Sequence, residues 1–263
     1  TAPTLSGGSA TRDSETSAAV KFTSSEVGSY YYAVAESGAA EPDVNTSGTG
    51  TPCDTTEQTI SLNNLSGAGA KDIYIVAKDA AGNVSQPLKI TIPAYIAPSY
   101  TISAGPETLN FGSATEGYTA PAAQTVTITN TGNQSVTVNL PTSTKYIITA
   151  GTGFESGTAT LASDGTATFT VQPNTGLDVG SHDDTLNISG SDGTSASVKL
   201  SFTVNAVYTL TVELNGGSGS TTGGQYPAGE VVNIDAGSRS NYRFDGWTSS
   251  NGGGFARASS AST

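Results

Sequence analysis

The chain has no methionine, one cysteine, one histidine and one tryptophan in 263 residues. Each scarcity excludes something. A single cysteine, Cys53, rules out an intrachain disulfide, and its expected setting is half-buried in a loop rather than in an intermolecular crosslink. A single histidine, His182, excludes a His-rich metal set. Without Met the chain lacks a start residue, so it is expected to be a processed or excised piece. Charged residues are only 12%, and the 10 basic against 22 acidic residues give a net charge of −12. That charge divides as −5 over 1–95, −6 over 96–206 and −1 over 207–263. No segment is basic, so nucleic acid is excluded as a partner. The acidic excess favours solubility and mutual repulsion, so a monomer is expected. No transmembrane run, signal peptide or lipidation motif is present, and no membrane insertion is expected of this chain.

What is present is Ser, Thr, Gly, Asn and Ala, with hydrophobic residues at 35%. Disorder pairs low hydrophobicity with high charge, and here both are low. This is the composition of many short strands joined by polar turns. The expected fold is all-β: two tandem Ig-like β-sandwiches, at 1–95 and 96–206, followed by a small β-repeat domain at 207–263, incomplete at its C-terminus.

In the first unit Ala18, Val20 and Phe22 alternate, and Ser29 to Glu36 makes a second strand. A polar stretch from Ser37 to Thr56 reads as a surface loop. QTISLNNL, KDIYIVAKD and VSQPLKITIP follow, giving about seven strands with no helical period. With Leu65, Tyr74 and YIVAKDAAGNVS, this order resembles a fibronectin type III domain of the bacterial surface kind. The resemblance implies a tyrosine corner, with the Tyr74 hydroxyl donating to backbone near Leu65. The family's usual Trp on the second strand is missing, and Phe22 stands about there.

The linker Ala94 to Tyr100 contains Pro98, which stiffens it. In the second unit, Val126 and Ile128 flank NTGNQ on one side, with Val136 and Val138 on the other, and read as two pairing strands. A hairpin is expected around Asp164-Gly165, and two more strands, DTLNISG and SVKLSFTV, flank Ser191-Asp192-Gly193. LNFG, VTITNTG, FTVQP and GLDVGSHDDTLNISG in this order resemble the Ig-like domains of abnormal-spindle and hydin proteins, which also occur in bacterial surface chains. Such domains serve as scaffolds, so the fold names no ligand.

In the third unit Tyr208, Leu210 and Val212 alternate, GGSGSTTGG makes an extended turn, and Val231, Val232 and Ile234 make a second strand. Phe244 and Trp247 close the motif, and Trp247 is expected to be core. YTLTV, YPAGEVVNIDA and FDGW resemble the divergent internalin B-type repeat of bacterial surface proteins. That family continues with a closing strand where this chain ends in FARASSAST, so the end is expected to be under-packed.

Every candidate for chemistry has a plainer reading. His182, with Asp178, Asp183 and Asp184, is the densest metal-like group, yet one His in a turn is ordinary surface. Asp79, Asp164 and Asp192 each sit alone in a turn, and Asx and Asp-Gly turn chemistry explains them without calcium. Tyr30, Tyr31 and Tyr32 alternate in a strand, so they form no flat sugar-stacking row. Lys21, Lys71, Lys78, Lys89 and Lys199 lie in or beside strands, where a Lys–Asn crosslink of the kind found in some bacterial Ig-like domains would show as a deficit in intact mass. No catalytic, cofactor-binding or metal-binding residue is assigned, no cofactor is expected, and no enzyme activity is expected. The expected function is that of a non-catalytic spacer or adhesion segment of an extracellular bacterial surface or cell-wall protein. Its partner would be a host or extracellular protein or a glycan. The alternative is an accessory or carbohydrate-binding module of a secreted polysaccharide-degrading enzyme.

Overall fold

The computed structural model describes residues 1–250, 254–256 and 258. It is all-β, with one three-residue 3-10 turn at Ser191–Gly193, and it divides into two compact units, Thr1–Pro98 and a second beginning at Ser99.

Seven strands build the first unit: β1 (Leu5–Arg12), β2 (Ala18–Ser24), β3 (Gly28–Glu36), β4 (Thr51–Cys53), β5 (Glu57–Leu62), β6 (Lys71–Lys78) and β7 (Leu88–Ile92). They form a three-stranded sheet, β1-β2-β5, and a four-stranded sheet, β4-β3-β6-β7. Period-two alternation places Ala18, Val20 and Phe22 inward from β2, where they meet Ile73, Ile75, Ile90 and Ile92. Phe22 packs edge-to-face on Tyr30 with ring centroids 5.2 Å apart. Cys53 ends β4 opposite Gly28 and is buried in this core, so it is a strand residue and not the half-buried loop thiol expected.

β6 is buried on both faces over Lys71–Ala77. Ile73 and Ile75 face the core, while Asp72, Tyr74 and Val76 face the other way. The polar stretch after β3 accounts for this, because it lies across the outer face of the sheet. The Tyr31 hydroxyl donates to the Gly48 carbonyl at 3.2 Å, and Lys78 Nζ to the Thr46 carbonyl at 3.4 Å. A Cβ on Gly50 would come within 2.6 Å of the Tyr31 ring, so only glycine fits there. The expected tyrosine corner is corrected for the same reason of parity. Tyr74 points away from the core that holds Leu65, and its ring lies 5.7 Å from the Lys89 ammonium.

The second unit begins with β8 (Ile102–Gly105), β9 (Thr108–Thr115), β10 (Gln124–Asn130), β11 (Val136–Asn139) and β12 (Tyr146–Ala150). It continues with β13 (Thr158–Leu161), β14 (Thr166–Pro173), β15 (Gly180–Ser181), β16 (Asp184–Ser189) and β17 (Ser195–Asn205). One sheet runs β12-β14-β10-β8. In the other, β17 pairs antiparallel with β15 and β16 and parallel with β9. The β11–β13 ladder joins β16 through a bridge between Val138 and Gly190. Val126, Ile128, Phe169 and Val171 from the first sheet face Leu186, Ile188, Val198, Leu200 and Phe202 from the second.

Neither of the two expected hairpin pairings forms. β10 pairs with β14 and β8, while β11 pairs with β13, so NTGNQ carries the chain from one sheet to the other. The Asp164-Gly165 turn likewise crosses from β13 to β14. Asn130 holds both crossings. Its side chain is fully buried, donates to the carbonyls of Gln134 (2.7 Å), Leu161 (3.0 Å) and Ala162 (3.0 Å), and accepts from Gly132 N–H (2.9 Å). The two strands expected either side of Ser191-Asp192-Gly193, β16 and β17, pair as a hairpin through the 3-10 turn.

Beyond β17, β18 (Val207–Leu210) pairs with β19 (Gly224–Pro227), setting Tyr208 opposite Tyr226. The second strand was expected at Val231, Val232 and Ile234, but pairing is complete before them. Gly223 has φ +81°, and a Cβ there would lie 2.2 Å from the Leu210 carbonyl oxygen, so the glycine loop closes directly onto 224–227. Val231 is 88% exposed, whereas Ile234 and Ala236 are buried. Gly219 N–H donates to the Ala236 carbonyl at 3.0 Å, tying that segment to the glycine loop. Most of FARASSAST, where an under-packed end is expected, lies outside the described residues.

Candidate functional site

The acidic group around His182 is tied into the fold. His182 N–H donates to the Phe202 carbonyl, and its Nε2 lies 2.6 Å from the Asp178 carbonyl. The Tyr146 hydroxyl donates to the His182 carbonyl at 2.8 Å. Burial first, then the charges of Asp183 and Asp184, push the Tyr146 pKa up to about 12. Ser143 Oγ donates to Asp184 Oδ2 at 2.6 Å, and Lys145 Nζ to the Asp183 carbonyl at 2.7 Å. Among the described residues, no three His, Cys, Asp or Glu side chains converge to hold a metal.

The isolated aspartates occupy turns. Asp79 accepts from the backbone N–H and the side-chain amide of Asn83, which hold its carboxyl below the usual range. Asp164 and Asp192 have φ of 61° and 55°, the left-handed positions that Asp tolerates. Cys53 is shielded from solvent, and burial is the main cause raising its thiol pKa.

Four of the five lysines have other partners. Lys21 pairs with Glu57 at 2.7 Å on the surface. Lys71 is buried and pairs with Glu36. Lys89 pairs with Asp72 at 2.9 Å. Lys78 donates to the Thr46 carbonyl, and the Lys199 residue is exposed.

Asp72 is a buried polar centre that sequence reasoning missed. It accepts from Lys89 Nζ, Gly38 N–H (3.0 Å) and Thr91 Oγ1 (2.8 Å). These partners, the Lys89 hydrogen bond foremost, lower its pKa from 3.8 to about 2. Its signal is an acid at the head of the apolar run IYIVA, between that run and Lys71.

The tyrosines of β3 separate as alternation requires. Tyr30 is buried in the core, Tyr31 meets the outer loop, and Tyr32 is 43% exposed. Tyr32 lines an open cleft of about 370 Å³ with Val34, Leu62, Asn63, Asn64 and the Lys71–Glu36 pair. In the last segment Phe244 and Trp247 meet edge-to-face at 5.5 Å, both half-buried, so Trp247 is a partner in a small ring pair rather than a core residue.

Residues 208–263 match the family described as Divergent InlB B-repeat domain. No curated protein matches the chain. Matches among solved structures include an ASH/PapD-like domain of human CEP192, at 14% identity and TM-score 0.31, covering 43% of this chain and 90% of that one. The chicken CNTN1 FN1–FN3 domains give 13% identity and TM-score 0.30, covering 84% of this chain and 72% of theirs. The D00–D0 domain of intimin gives 12% identity and TM-score 0.30, covering 75% of this chain and 98% of its own. At these scores they add nothing to the architecture read directly from the strand pairing.

Proposed function

We propose that this chain is a non-catalytic spacer and interaction segment of an extracellular bacterial surface protein, and that it acts as a monomer. The observation that carries the reading is the B-repeat similarity of 208–263, placed directly after two β-sandwich units. The chemistry of the candidate residues supports it. Most of the groups that sequence singles out are spent on turns, loop anchors and core packing, and the net charge of −12 disfavours self-association and phosphate backbones. No helix among the described residues is long and apolar enough to cross a membrane.

The test is labelling of intact source cells with an antibody raised against the chain, alongside fractionation of the culture medium. Surface labelling is the expected result. Antigen found only inside lysed cells contradicts the reading. Antigen only in the medium, on a chain that also carries a glycoside-cleaving domain, would support the accessory-module alternative.

A further inference from the structure

The two sheets of the first unit differ in width. Sheet β1-β2-β5 has three strands and faces a sheet of four. β5 has no partner on its outer side, and β3 pairs with β4 only over Gly28–Tyr30. The inner face of β3 therefore runs beyond its cover. Tyr30, Tyr32 and Val34 share that face, yet Tyr30 is buried while Tyr32 and Val34 are 43% and 36% exposed.

The uncovered face is one side of the Tyr32 cleft, and its volume of about 370 Å³ falls within the roughly 300–1,000 Å³ of small-ligand sites. Val34 and the buried Leu62 and Leu65 give it an apolar floor. Asn63, Asn64 and the Tyr32 hydroxyl make no hydrogen bond to another described residue. At one end the buried Lys71 donates to Glu36 and to Ser66 Oγ. The Glu36 side chain is 68% exposed, so it keeps accepting capacity toward the cleft.

A part-exposed aromatic ring beside unpartnered amides and a carboxylate matches one ligand chemistry well. A pyranose has an apolar C–H face that stacks on an aromatic ring, and a rim of hydroxyls that both donate and accept. Amides do both as well, and a carboxylate accepts strongly from hydroxyls. An anionic ligand fits less well, because Glu36 already neutralises Lys71 and the unit is acidic.

We propose that this cleft binds the end of a neutral saccharide. One sugar ring stacks on Tyr32, and Asn63, Asn64 and Glu36 bond its hydroxyls. The inference rests on the extracellular reading only for where the ligand is met. Failed surface labelling leaves the binding measurement standing, and failed binding leaves the location standing.

The test is a titration of the full ¹⁵N-labelled chain with lactose, maltotriose and chitotriose, and with sialyllactose as the anionic probe. At least one neutral probe is expected to shift the amide signals of Tyr32, Asn63 and Asn64, with a Kd on the order of 1 mM or tighter. Tyr32→Ala should weaken binding about tenfold or more, Tyr32→Phe less, and Asn64→Ala severalfold. These side chains are exposed, so the variants should fold, and unchanged spectra elsewhere would verify it. Shifts from none of the neutral probes overturn the proposal. So does tighter binding of sialyllactose, binding that survives Tyr32→Ala, or shifts confined to Phe244–Trp247.

Discussion

Each sandwich has a buried polar side chain that anchors irregular connections, Asp72 in unit 1 and Asn130 in unit 2, and the two are unlike. Unit 1 uses a charge: Asp72 ties the start of the long loop to β7 through Gly38, Thr91 and Lys89. Unit 2 uses a neutral amide: Asn130 ties two sheet-to-sheet crossings together through four hydrogen bonds. A charged anchor is strong while ionised and fails when protonated. An amide is indifferent to pH but must satisfy every atom it buries. The same engineering need is thus met with different sensitivities.

The largest expected effect calibrates the scale. Phe169→Ala empties the centre of unit 2 and should cost about 3–5 kcal/mol, read as a lowered melting transition for that unit alone. Next, Asn130→Ala leaves buried carbonyls and one N–H without their partner. It should cost about 2–3 kcal/mol, with hydrogen exchange accelerated at 131–135 and 162–165. Asn130→Asp sharpens the comparison. A carboxylate facing carbonyls has a raised folded-state pKa, so that variant should gain stability as pH falls, opposite in sign to unit 1. Asp72→Asn should speed proteolysis within 37–56 and lower the unit 1 transition, with little change in unit 2. The smallest effect belongs to Trp247→Ala. Its ring meets Phe244 outside both cores, so the two sandwich transitions should move by less than about 1 kcal/mol.

Much of this architecture was legible in the sequence. Period-two runs such as Ala18, Val20, Phe22 and Ala167, Phe169, Val171 report a half-buried strand wherever they occur. Pairing partners were harder to see. NTGNQ and Ser-Asp-Gly-Thr are turn signals, and a turn signal is local. It says that the chain reverses, not whether it returns in the same sheet or crosses to the opposite one. Both outcomes bury Val126, Ile128, Val136 and Val138, so hydrophobic pattern cannot decide between them. Tyr74 lies between Ile73 and Ile75, so period-two alternation alone sets it on the opposite face and against a corner with Leu65. The Tyr32 cleft was hidden because it depends on the unequal width of two sheets, which no single segment encodes.

The contrast between the two anchors is tested most directly by calorimetry of the full chain from neutral pH down to about pH 2, beside Asp72→Asn. The Asp72 pKa is lowered from 3.8 to about 2 on folding. Its stabilisation is therefore complete above the unfolded value and is lost as pH falls toward the folded one. The account predicts that the unit 1 transition drops over that interval in the natural chain, and that Asp72→Asn removes a large part of the drop. A unit 1 transition whose fall with pH is the same with and without Asp72 would contradict it.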